Sequence, residues 1–136
     1  MEIAAVVKNS SLGHDVELRT GSAVHALGVA PKAAGRVSSV NGGEFLMLAL
    51  ATCYCNDLYR EAERLGIALD AVEVEATAQF AGIGLAATDI RYRATVTSPA
   101  SAQAIAGLLR QTDAVAEVHN TLRAGTPVVL VIEEPR

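Results

Sequence analysis

The side chains most able to do chemistry in this sequence are two cysteines, Cys53 and Cys55, which lie two positions apart. On a helix, side chains at this spacing point about 200° apart around the axis, so a disulfide between them would require that turn to unwind. A structural zinc site needs more ligands at a wider spacing. Each cysteine is therefore either a small buried apolar side chain or a nucleophile, and a nucleophilic thiolate needs a nearby cation.

Other common sites are poorly supported. The three histidines, His14, His25 and His119, are far apart in the sequence, and their spacing does not predict a metal site. The sequence has no G-x-S-x-G motif for a hydrolase, and no glycine-rich loop joins a strand to a helix as phosphate binding requires. We therefore expect neither a metal nor a cofactor.

The composition limits the class of protein. Of the 136 residues, 51% are hydrophobic, 19% are charged and the formal net charge is −4. These values predict one folded domain over residues 1–136 and give no basic surface for nucleic acid. No apolar run is long enough for a membrane span, and the N-terminus does not resemble a signal peptide, so we expect a cytoplasmic protein without membrane contact. Because aromatic residues make up only 4%, the small aliphatic core suggests a partner subunit.

Hydrophobic patterning then indicates the elements that must position the cysteines. Alternating apolar and polar residues predict three strands near residues 2–8, 14–20 and 23–27. A loop follows at 28–40. Asn41 as N-cap and Glu44 three residues later predict the start of a helix that runs from Phe45 to Leu65 and ends at Gly66. The segment 45–53 is apolar on every side, so we expect it to be buried all round.

The second half of the chain alternates again and then becomes helical. Two strands near 72–80 and 90–97 should pair antiparallel, because this pairing puts Glu73 and Glu75 beside Arg91 and Arg93. Helices are predicted from Ser98-Pro99 to about residue 110 and from about residue 112 to 124, followed by a closing strand at 126–133. The order βββ-α-ββ-αα-β is that of a mixed α+β domain.

The central helix also carries a family resemblance. Its segment from Asn41 to Cys53, NGGEFLMLALATC, followed by REAERLG to Gly66, resembles the OsmC/Ohr family of osmotically inducible and organic-hydroperoxide-resistance proteins. The element order is similar over essentially the whole chain. The resemblance implies an OsmC-like fold, an intertwined homodimer with the central helices buried together, and a site at the subunit interface.

The same resemblance implies a chemistry. Cys53 matches the family's peroxidatic cysteine, whose thiolate attacks an organic hydroperoxide and becomes a sulfenic acid. In active members a second cysteine on the last helix condenses with it, and an external dithiol resets the disulfide. In this sequence Ala116 stands at that second position, and Glu117 replaces the proline that follows it.

The groups that activate the thiolate in the family also differ. Its hydroperoxide reductases place a glutamate where this chain has Gly43, whereas Glu44 matches the more general family glutamate at the helix N-terminus. Where the family has an activating arginine the chain offers only Lys8, and Arg19 and Arg36 are the candidates to replace it. Without a cation, burial should raise the pKa of the thiol.

Two functions therefore remain open. One is a thiol-dependent peroxidase acting through Cys53 and resolved by an external thiol or by Cys55. The other is a non-catalytic homodimer that binds a small apolar ligand, having lost the resolving cysteine and the activating Arg/Glu pair. Both predict a homodimer.

Overall fold

The computed structural model describes residues 1–33 and 36–136, which form two compact units, Met1–Phe45 and Leu46–Arg136. In the part of the chain so described, no helix has the length and hydrophobicity needed to cross a membrane. The predicted loop at 28–40 includes residues 34 and 35, which lie outside the described residues. That the whole chain is a single domain stays a prediction.

The N-terminal unit contains a meander of three strands. These are β1 (Ile3–Ser10), β2 (Gly13–Thr20) and β3 (Ala23–Leu27), paired antiparallel in the order β1-β2-β3. Gly21 turns the chain between β2 and β3 with a φ of 56°, a conformation that favours glycine because it has no Cβ. The three strands predicted from alternation are confirmed.

The central helix α1 (Gly42–Leu65) begins and ends as its sequence predicts. The backbone amide of Glu44 donates to Asn41 Oδ1 at 2.8 Å, and the amide of Asn41 donates to Glu44 Oε1 at 3.0 Å. This reciprocal pair satisfies two amides that the helix leaves without partners. Gly66 follows with a φ of 69° and ends the helix.

Burial on α1 is confined to one face in the single chain. Its buried side chains include Leu50, Tyr54, Leu58 and Ala62, spaced four residues apart on one face. Leu48, on another face, is 56% exposed. In the single chain the core of the C-terminal unit covers one face of the helix only, and burial of its other faces stays a prediction for the homodimer.

Strands β4 (Ala71–Gln79) and β5 (Thr88–Thr97) pair antiparallel beside this helix. Glu75 lies opposite Arg93, and Arg93 Nη2 is 2.8 Å from Glu75 Oε1, so the predicted pairing of charged residues is confirmed there. The inward side chains of both strands pack on the core. The buried core cluster consists of Tyr54, Leu58, Ala62, Leu108 and Ala116.

The last two helices are displaced from their predicted bounds. Helix α2 (Ala102–Val115) is capped by Ser101, whose Oγ accepts from the amide of Ala104 at 3.1 Å. Ser98 does not cap it, because the helix begins four residues later; the Oγ of Ser98 accepts from the amide of Ala100 at 3.0 Å, and its hydroxyl donates to the carbonyl of Ala68 at 2.6 Å. Helix α3 (Glu117–Arg123) starts after Ala116, where a ψ of 107° interrupts the helical backbone.

The predicted closing strand at 126–133 is wrong for the single chain. The structure assigns no regular secondary structure after residue 125, and the side chains of residues 128–132 are 76–99% exposed. A strand forms only where another strand satisfies its backbone groups, and no described strand of this chain pairs with the segment. The mixed α+β class with three helices and small antiparallel sheets is confirmed.

Candidate functional site

Cys53 lies on α1 with its thiol directed at two carboxylates. Its Sγ is 3.7 Å from Asp57 Oδ2 and 3.9 Å from Glu117 Oε2, and both oxygens accept from the thiol. Asp57 is one helical turn along α1, and Glu117 is the first residue of α3. The two helices therefore bring together what we call the thiol site, consisting of Cys53, Asp57 and Glu117.

Arg60 supplies the positive charge at this site. Its Nη1 lies 3.0 Å from Asp57 Oδ1 and 3.8 Å from Glu117 Oε1. The guanidinium therefore pairs with the carboxylates rather than with the sulfur. Arg60 was not predicted as this cation, although the spacing of Cys53, Asp57 and Arg60 along one helix indicates that they share a surface.

The surroundings keep the thiol protonated at neutral pH. Burial raises the pKa of Cys53, the backbone amide of Val118 opposes this by hydrogen bonding, and the negative charges of Asp57 and Glu117 raise it further. Burial, followed by the charge of Glu117, also raises the pKa of Asp57, whereas Arg60 acts in the other direction. The pKa of Glu117 is lowered, chiefly because its own backbone amide donates to it.

Three predicted site residues belong to the N-terminal unit. Arg19 lies on β2, with Nε 3.7 Å from Glu17 Oε1. Arg36 precedes α1, and its backbone carbonyl accepts from the side chain of Asn9. Glu44 caps α1, the task predicted for the general family glutamate. Activation of the thiolate by Arg19 or Arg36 stays a prediction.

The structure also places Cys55 and Ala116, the residue at the position of the family's resolving cysteine. Cys55 is half-buried, and both cysteines are free. Ala116 is fully buried in the core cluster, against which Cys53 packs. The position matched with the family's resolving cysteine is thus in the same core as Cys53, but it carries a methyl group that cannot react.

Only one group of potential metal ligands is close together among the described residues. The ligand atoms of Cys53, Asp57 and Glu117 lie within 4.8 Å of one another. A cation bound there would compete with Arg60 for both carboxylates. Among the described residues no histidine belongs to such a group. His14 and His25 line a cavity in the N-terminal unit, and His119 is part of the C-terminal unit.

A second polar cluster of the C-terminal unit was not predicted. Asp113 accepts from the hydroxyl of Tyr92 and from Arg123 Nη2, the latter at 2.6 Å. The ring of Tyr92 is 4.4 Å from that of His119, and the ring of Tyr54 is 5.8 Å from it. The residues are scattered over three helices and a strand, so no sequence spacing could have revealed this cluster.

Comparison with known proteins identifies the family. The OsmC-like protein family model matches residues 35–131, which is more than half of the chain. An OsmC-like protein from Mycoplasma pneumoniae is 20% identical, with a TM-score of 0.63 over 90% of this chain and 86% of that one. An organic hydroperoxide resistance protein from Elizabethkingia anophelis is 16% identical, with a TM-score of 0.61 over 90% and 89%.

A third solved structure is also similar to this chain. An organic hydroperoxide resistance protein from Legionella pneumophila is 16% identical, with a TM-score of 0.58 over 88% of this chain and 89% of that one. A search of curated protein sequences finds no significant match. At these identities the structural likeness establishes the fold, and together with the family match it shows that the chain belongs to the OsmC-like protein family.

Proposed function

We propose that this protein is a stress-response thiol peroxidase that reduces organic hydroperoxides through Cys53. The observation that carries the proposal is the contact between the Cys53 thiol and the carboxylate of Asp57, at 3.7 Å. A carboxylate at this position can take the proton from the thiol when the substrate arrives. The structural neighbours named as hydroperoxide resistance proteins support the choice of substrate.

The reaction follows from the thiol site. The Cys53 proton passes to Asp57, the sulfur attacks the distal oxygen of the hydroperoxide, and the O–O bond breaks. The leaving alkoxide takes the proton from Asp57, giving one alcohol and Cys53 sulfenic acid. Arg60, paired with both carboxylates, offsets the negative charge that collects beside the sulfur.

An external thiol completes the cycle, since Ala116 cannot resolve the sulfenic acid. A thiol of an external dithiol attacks the oxidised sulfur of Cys53 and releases water, leaving a mixed disulfide. The second thiol of the same reductant then displaces Cys53 as a thiol. The alternative is resolution by Cys55, which would require α1 to unwind locally because the two side chains diverge.

This proposal is tested by following hydroperoxide consumption and the oxidation state of Cys53 together. With cumene hydroperoxide and dithiothreitol, we expect catalytic consumption of the hydroperoxide. Without reductant, we expect a sulfenic acid at Cys53, trapped with dimedone and located by mass spectrometry. Cys55→Ser should keep its turnover if an external thiol resolves the intermediate and lose it if Cys55 does. Absence of both turnover and trapped sulfenic acid would overturn the proposal.

We also propose that the working form is a homodimer. Exposed apolar side chains support a homodimer: Leu48 on α1 and the side chains of residues 128–132 near the C-terminus. Large exposed apolar patches on a soluble protein mark interaction surfaces. We therefore expect analytical ultracentrifugation to give twice the 14.1 kDa chain mass at micromolar concentration. A stable monomer at that concentration would contradict the homodimer.

A second function is favoured by the raised pKa of the Cys53 thiol and by Ala116. A thiol that stays protonated is a poor nucleophile, and a site without a resolving cysteine reacts once unless another thiol intervenes. The protein would then be a non-catalytic homodimer that binds a small apolar ligand. Ligand binding by a protein that shows no hydroperoxide turnover distinguishes this function from the first.

A further inference from the structure

The charges around the thiol site are not balanced. Arg60 is shared by three carboxylates, since its Nη1 lies 3.0 Å from Asp57 and 3.8 Å from Glu117 and its Nε lies 3.5 Å from Glu61. A second cation reaches Glu61, because Arg64 Nη2 is 2.9 Å from Glu61 Oε1. Within these ion pairs two guanidiniums face three carboxylates, which leaves one negative charge uncompensated.

The carboxylate of Glu117 is the one that an approaching molecule meets. Its side chain is 70% exposed, whereas that of Asp57 is 7% exposed, and its contact with Arg60 is the longest of the three. The pKa of Glu117 is lowered, chiefly because its own backbone amide donates to it, so the group is ionised at neutral pH. Because Glu117 Oε2 lies 3.9 Å from the sulfur of Cys53, a molecule that reaches this sulfur from solvent also comes close to the charge.

The return of oxidised Cys53 to the thiol brings an anion to this place. The thiolate of the reductant forms a bond to the Cys53 sulfur while the S–O bond of the sulfenic acid breaks, and the leaving hydroxide takes a proton to become water. A further negative charge beside the attacking thiolate adds to its repulsion by Glu117, and a positive charge offsets that repulsion. The charge of the reductant next to its thiol therefore affects the rate of this step.

From this arrangement we propose that Glu117 is a specificity-determining residue, which disfavours anions at the thiol site and so selects a reductant that is neutral or positively charged beside its thiol. The selection of a reductant rests on the proposed function, because only a Cys53 that is oxidised in a cycle needs one. The effect of Glu117 on reactants of different charge can be measured without that cycle.

The test uses two methanethiosulfonate reagents of similar size, one carrying a trimethylammonium group and the other a sulfonate group. In a Cys55→Ser chain Cys53 is the single thiol, whose thiolate attacks the reagent, breaks its S–S bond and releases methanesulfinate. Each rate is divided by the rate of the same reagent with 2-mercaptoethanol, and the thiolate fraction of Cys53 cancels in the ratio of the two. At low ionic strength we expect the cation to react at least about fivefold faster than the anion after this correction.

Substitutions then assign the preference to Glu117. Glu117→Gln should bring the corrected ratio to within about twofold of unity, because it removes the uncompensated charge, and Glu117→Lys should reverse the preference. The matched control is Glu63→Gln, which removes the same charge from an exposed position about 15 Å further along α1 than Cys53 and should leave the ratio unchanged at physiological salt. Both glutamates are exposed, so their replacement should not disturb the core.

The possible outcomes separate this inference from the proposed peroxidase. Equal corrected rates for the two reagents in the Cys55→Ser chain, or a preference that survives Glu117→Gln, would overturn the inference. In turnover of cumene hydroperoxide by the unsubstituted protein, cysteamine should be a faster reductant than 3-mercaptopropionate, each rate being divided by that with a small neutral disulfide. Equal turnover with both would overturn the inference and leave the peroxidase intact. A labelling preference that Glu117→Gln abolishes, in a protein without turnover, would support the role of Glu117 and count against the peroxidase.

Discussion

Replacing Cys53 by serine is expected to reduce hydroperoxide consumption by at least about 100-fold, to the uncatalysed level. A serine hydroxyl is not oxidised to a stable intermediate, so the proposed cycle has no first step. Asp57 and Arg60 would remain in place, because the substitution exchanges a sulfur for an oxygen on a helix whose other contacts are unchanged. The measurement is the initial rate with cumene hydroperoxide and excess dithiothreitol.

The pH dependence of the unsubstituted protein tests the same residue. Because the pKa of Cys53 is raised, thiolate is scarce at neutral pH, and the rate should rise as the pH approaches and passes the usual thiol pKa of 9.0. Full turnover by the Cys53→Ser variant would show that this thiol is not the nucleophile. A rate that is already maximal at pH 6 would contradict the expected pH dependence and would show that the supply of free thiolate does not limit the reaction.

Leu58→Ala is expected to destabilise the protein by about 3.5 kcal/mol, the middle of the range for a buried leucine truncated in a packed core. Leu58 is 0% exposed and belongs to the core cluster where α1, α2 and the β4–β5 sheet meet. Truncation leaves a cavity that these elements cannot fill, in addition to the loss of burial. Since native domains are stable by only 5–15 kcal/mol, the folded fraction should fall sharply.

The control for this substitution is Leu85→Ala. Leu85 lies in the connection between β4 and β5 and is 61% exposed, so the same change of side chain should alter the free energy of unfolding by less than about 0.5 kcal/mol. Urea denaturation followed by circular dichroism at fixed protein concentration measures both variants. Equal effects would mean that Leu58 is not a core residue in solution.

Elements that are determined by residues within or next to them were predicted well from the sequence. Asn41 and Glu44 define the start of α1 through their own hydrogen bonds, and Gly66 ends the helix through a backbone conformation that favours glycine. The charges on β4 and β5 predicted their pairing because side chains opposite each other in a sheet interact directly. These signals need no knowledge of the remaining chain.

The expectations that the single chain does not meet concern segments whose environment is set by distant residues. The burial of 45–53 on every side and the strand at 126–133 were predicted from hydrophobicity, which indicates that a segment needs covering but not which surface covers it. In the single chain one face of α1 is covered and the last segment is not. Ser98 was a reasonable cap by residue type, but in the turn before the helix its hydroxyl donates to a carbonyl thirty positions earlier, and Ser101 caps the helix instead.

In the candidate site, too, the residues with a local sequence signal were easier to predict than those brought together by the fold. Cys53 was found because it belongs to a motif, and Asp57 and Arg60 follow it at helical spacing. Glu117 reaches the sulfur only because the chain bends at Ala116, and His119 lines a pocket assembled from two helices and a strand. The raised pKa of the thiol was expected from burial, but its carboxylate neighbours are a property of the folded chain.

The uncovered segment at 128–132 has a consequence for the newly synthesised chain. It contains only valine, leucine and isoleucine, a composition with high β-propensity and no charge, which is typical of segments that aggregate. Pro127 precedes it and Glu133, Glu134, Pro135 and Arg136 follow it, residues of the kind that act as gatekeepers against uncontrolled strand stacking. A proline before the segment, and charges and a proline after it, therefore oppose aggregation of the chain while the segment is uncovered.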